Sequence, residues 1–141
     1  MKDIILTIGD GYIQDKIRLS FMKHMLLIEA NEPLPLKDVT MKDKVNNYGY
    51  IYSKEIPLSE TLRAICSQFE KVDFSEIFID QQESDWRNAY TLRINWGNFN
   101  EVSLTVKNIN RCNNHEAIRL HGLLQTLFCE INMEGWYVVK K

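Results

Sequence analysis

The side chains able to do chemistry in this 141-residue chain are three cysteines, three histidines and nineteen carboxylates, and their spacing limits what that chemistry is. Cys112-Asn113-Asn114-His115 is the tightest pair of soft ligands, and His121 and Cys129 follow it. Two sulfurs and two imidazole nitrogens would suit a tetrahedral zinc ion. Only the first pair is closely spaced, and the others would have to converge from one long helix. The spacing therefore reads as a surface His115 at a helix start and a partly buried His121 beside an apolar stripe, with no metal centre. His115-Glu116 also begins the zinc-protease helix motif, but Arg119 stands where the second imidazole is needed on the same helix face. Cys66, Cys112 and Cys129, separated by 46 and 17 residues, form neither a disulfide framework nor a paired metal spacing, and read as reduced thiols. The six glycines never cluster into a loop whose amides could surround a phosphate. No catalytic residue, cofactor or metal ligand is assigned on these grounds.

The strongest local signal is electrostatic. From Glu70 to Trp86 the carboxylates Glu70, Asp73, Glu76, Asp80, Glu83 and Asp85 face the single cation Lys71, although the formal charge of the whole chain is only −2. Carboxylate pairs suited to acid–base work arise by chance at this density. A concentrated negative field is better suited to steering a basic partner. We take Asp73, Glu76, Asp80, Glu83 and Asp85 as candidate partner contacts, with Trp86 or Phe99 as an aromatic anchor. Small, mildly acidic chains of this kind are similar in general type to bacterial immunity proteins and other inhibitors that neutralise a basic nuclease or toxin domain. That similarity implies docking on the lysines and arginines with which such a partner holds phosphate.

A second cluster is aromatic. Asn47-Tyr48-Gly49-Tyr50-Ile51-Tyr52 resembles a fragment of the sheet motif of RNA-recognition-motif domains, whose alternating aromatics stack on bases. It departs from that motif at Asn47 and Ser53, and the strand precedes a helix instead of sitting third in a sheet. A sequence pI near 5.9 and the absence of a basic surround disfavour nucleic acid as a partner. The same tyrosines, covered by the excursion from Pro33 to Asn47, are where the pocket of a small enzyme would form, which is the alternative reading.

These groups must be positioned by a fold that the sequence outlines. With 45% hydrophobic residues the chain reads as one α+β domain over residues 1–141, large enough to bury a core. The uncharged run Met25-Leu26-Leu27-Ile28 is far too short to span a bilayer, and the first residues lack the pattern of a secretory signal, so the expected location is cytoplasmic. Asp3 to Ile8 reads as a strand ended at Gly9-Asp10-Gly11. Tyr12 to Ala30 is ambiguous: Ile13, Ile17, Phe21, Met25 and Ile28 keep helical spacing, while Ile17, Leu19 and Phe21 alternate with Lys16, Arg18 and Ser20. The longer stripe favours a helix stopped by Pro33 and Pro35. Strands are expected over Tyr48–Ser53, Glu76–Asp80 and Trp136–Val139, with an antiparallel hairpin pairing Arg87–Trp96 with Glu101–Lys107. One helix should start at a Ser59 cap and bury Leu62, Ile65, Cys66 and Phe69. Another should run from an Asn114 cap to about Met133, burying Ile118, Leu124, Leu127, Phe128 and Ile131, with Gly135 as terminator. The expected architecture is a mainly antiparallel sheet of about five strands with two or three helices on one side.

Overall fold

The computed structural model describes residues 1–9, 14–41, 49–80, 90–97, 100–106 and 114–133. Among them, seven strands form one antiparallel sheet: β1 Asp3–Gly9, β2 Gln14–Phe21, β3 Met25–Ala30, β4 Thr40–Met41, β5 Tyr52–Pro57, β6 Tyr90–Gly97 and β7 Asn100–Val106. Their order across the sheet is β4-β5-β3-β2-β1-β6-β7. The described residues also form three helices: α1 Glu60–Phe69, α2 Phe74–Asp80 and α3 His115–Glu130. The class is α+β, with seven strands where about five were expected.

Register explains the core. Ile4 pairs with Leu19 on one side and Ile94 on the other, Leu6 pairs with Ile17 and Leu92, and Leu19 pairs with Ile28. Because alternate residues share a sheet face, these side chains form continuous apolar rows. All are almost completely buried, in one cluster with Leu62, Phe69, Leu120, Leu124 and Phe128 of α1 and α3. Each such burial contributes about 1.5–3 kcal/mol. The opposite face is polar: Asp3 Oδ2 accepts from Arg18 Nη2 at 3.0 Å, and Arg93 Nε donates to Glu101 Oε1 at 2.9 Å.

Tyr12–Ala30, expected to be helical, instead contributes β2 and β3, which pair with each other. The reason lies in parity. Residues 13, 17, 21 and 25 are four apart, and an interval of four keeps a side chain on one face of a strand as well as of a helix. The chain then reverses through Met22, whose N–H donates to the Met25 carbonyl at 2.9 Å. Glu76–Asp80, expected as a strand, lies in α2. Asp73 Oδ1 accepts from the Ser75 N–H at 3.1 Å, which satisfies a free donor at the start of that helix. The Tyr48–Ser53 strand is displaced, because β5 runs from Tyr52 to Pro57 and follows Gly49 at a positive φ of 78°.

Both predicted helix caps are present. Ser59 Oγ accepts from Leu62 N–H at 3.1 Å, and Asn114 Oδ1 accepts from Ala117 N–H at 2.9 Å. Ile118, expected in the buried stripe of α3, is 52% exposed, and Ala117 and Leu120 occupy the inward face instead. This helix ends at Glu130, before the expected Gly135; Asn132, at φ 59°, follows the Ile131 cap, and the Met133 N–H reaches back to the Phe128 carbonyl at 2.7 Å. The expected β6–β7 hairpin is present, with Leu92 opposite Leu104 and Ile94 opposite Val102. The strand expected over Trp136–Val139 lies outside the described residues.

Candidate functional site

α3 assembles the part of the acidic stretch that the structure describes. Its first turns carry Asn114, Glu116 and Arg119, and each holds backbone between Lys71 and Glu76, at the end of α1 and the start of α2. Asn114 Nδ2 donates to the Glu76 carbonyl at 2.9 Å while its Oδ1 caps α3. Glu116 Oε2 accepts from the Asp73 N–H at 2.8 Å, and Arg119 Nη1 donates to the Lys71 carbonyl at 3.0 Å. Arg119 and Glu116 also approach to 3.8 Å, a partly exposed ion pair that contributes about 0–1 kcal/mol. Bonds from three side chains to the backbone of residues 71–76 orient that segment against a rigid helix.

The acidic side chains of the segment divide by task. Asp73 is exposed, but its carboxylate is engaged in capping, accepting from both the N–H and the hydroxyl of Ser75. Glu70 and Glu76 are exposed and, among the described residues, make no side-chain hydrogen bond or ion pair. Among the described residues no lysine or arginine comes within ion-pair distance of either, although Arg63 lines the same cleft as Glu70. Asp80 ends α2. Glu83, Asp85, Trp86 and Phe99 lie outside the described residues.

The other sequence candidates are not gathered into a site. His115 and Cys129 are exposed, His121 is half-buried, and Cys112 lies outside the described residues. Burial pushes the His121 imidazole below its usual pKa. Among the described residues, no three His, Cys, Asp or Glu side chains come together as a metal ion would need. Cys66 lines a shallow cleft of about 250 Å³ with Phe21, Leu58 and Arg63. Burial pushes its thiol up to about 12, which keeps it protonated and unreactive near neutral pH. Tyr50 is only 3% exposed and Tyr52 packs against the core, so neither presents its ring on an open surface for stacking. No helix among the described residues is long and apolar enough to cross a membrane.

Sequence reasoning identified Asn114 as a cap but not as a tie to Glu76, and it missed Glu116 and Arg119 as supports of the acidic segment. Their partners are 43 and 48 residues away in the chain, so no local pattern could reveal them. Glu70 belonged to the acidic stretch but was not selected, and its lack of a partner becomes evident only in three dimensions. Comparison of the chain with protein families, curated proteins and solved structures finds no match.

Proposed function

We propose that this protein is a cytoplasmic docking module that occupies a basic partner, in the manner of an inhibitor or immunity protein. The observation that supports this reading best is the pair of exposed, unpartnered carboxylates Glu70 and Glu76, on a segment tied to α3 by Asn114, Glu116 and Arg119. Unpaired charge on a fixed backbone attracts a cationic surface with little further ordering cost, which favours fast association. Asp80, Glu83 and Asp85 extend the negative run along the sequence, and Trp86 and Phe99 are the aromatic anchors it offers. Ile118, exposed one turn into α3 from Asn114, supplies an apolar contact on the supporting helix.

Affinity capture from the native cell with the wild-type protein and with Glu70→Lys/Glu76→Lys tests the reading. The wild type should retain a partner with a basic contact surface, and the double variant should retain it at a small fraction of that level with an unchanged melting temperature. Equal capture by both proteins, or capture by the wild type of acidic partners alone, would refute it.

A further inference from the structure

The margin of the sheet beside β5 holds a cleft unrelated to the acidic segment. It has a volume of about 520 Å³ and lies between the chain that follows β3, strand β5, the start of α1 and the end of α3. Leu36, Ile56, Leu62 and Ile131 supply apolar lining. The volume is within the range of small-molecule sites, roughly 300–1,000 Å³.

Lys54 is the unexpected residue. In register it lies opposite Ile28, between Tyr52 opposite Ala30 and Ile56 opposite Leu26. All three partners are fully buried, so Lys54 occupies a core-facing row where the alternation calls for an apolar side chain. It is half-buried, lines the cleft, and makes neither an ion pair nor a side-chain hydrogen bond among the described residues. Lys37, also without a partner among the described residues, lines the same cleft from an exposed position. A lysine directed along a core row lays its stem on apolar surface and brings its ammonium to the cleft, where an anion would satisfy it.

We propose that this cleft binds a small monoanionic amphiphile, with Lys54 pairing to its charged group, Lys37 as a second cation, and the apolar body of the ligand against Leu36, Ile56, Leu62 and Ile131. Glu130, which also lines the cleft, sets the preference for a single negative charge. The site is separate from the acidic segment, so either reading can fail without the other.

Decanoate, decan-1-ol and decylamine, each below its micelle concentration, are the probes for titration calorimetry with the full chain. Decanoate should saturate a single site, decanol should bind about tenfold more weakly, and decylamine more weakly still. Lys54→Met should bring decanoate to the level of decanol, Lys54→Arg should restore binding to within a few-fold, and Glu130→Gln should tighten it. If Lys54→Met lowers the melting temperature, Lys54→Gln takes its place. Absence of saturable decanoate binding, equal affinity for decanol, or insensitivity to Lys54 would overturn the proposal. So would Lys54-dependent binding to phosphatidylglycerol vesicles in place of the free carboxylate.

Discussion

Replacing Asn114 by alanine removes, among its contacts, two bonds that serve different elements. The Oδ1 acceptor caps α3 at Ala117, and the Nδ2 donor satisfies the Glu76 carbonyl in α2, both at 2.9 Å. The residue is buried, so water cannot readily replace either bond. Loss of an N-cap typically costs about 1 kcal/mol. Loss of the amide donor adds about 0.5–1.5 kcal/mol. Asn114→Ala should therefore destabilise the protein by about 1.5–2.5 kcal/mol, summed from those two contributions. Asn114→Ser keeps a capping oxygen and loses the amide donor without burying a charge, so its cost should be about half as large. Urea unfolding of the three proteins, followed by far-ultraviolet circular dichroism, measures both differences. Equal destabilisation by the two variants, or a loss below about 0.5 kcal/mol for alanine, would refute the double role assigned to this side chain.

Two further predictions concern groups shifted by burial. Cys66, with its thiol pushed up to about 12, should resist alkylation by iodoacetamide at pH 8 in the native protein, while the exposed Cys129 reacts; peptide mass mapping reads the difference. His121 is held below its ordinary 6.5, so the unfolded chain binds a proton there more readily than the native one. Its contribution to stability is complete above pH 6.5 and is lost as the pH falls from there toward the lowered native value. Stability curves of His121→Asn should lack that part of the acid dependence, and an unchanged slope would contradict the assignment.

How much of this fold could be read from the sequence depended on the range of the interaction involved. Ser59 and Asn114 were legible as caps because each bond closes over three residues. The β6–β7 hairpin was legible because Leu92, Ile94, Leu104 and Val106 alternate with polar residues across a short connection. β2 and β3 were hidden by a four-residue interval that serves both periods, and only the alternation at Lys16, Arg18 and Ser20 pointed to strands. α2 was hidden because five residues are too few to separate the periods, and its cap at Asp73 lay outside the window considered. The acidic stretch was visible as charge density. Which carboxylates stay free was not, because Asp73 is engaged by Ser75 while Glu70 and Glu76 are not, and the supports of the segment come from the far end of the chain. Lys54 could not be singled out either, since its core-facing position depends on the register of β5 against β3.

Under the proposed function, Glu70 at the end of α1 and Glu76 in α2 attract a basic macromolecule. The association rate with the captured partner, measured across ionic strength for the wild type and for Glu70→Lys/Glu76→Lys, tests it most directly. The wild-type rate should be faster at low salt by about ten- to a hundredfold and fall steeply as salt is added, and the variant's rate should be slow and nearly flat. Superimposable salt profiles for the two proteins would contradict the account.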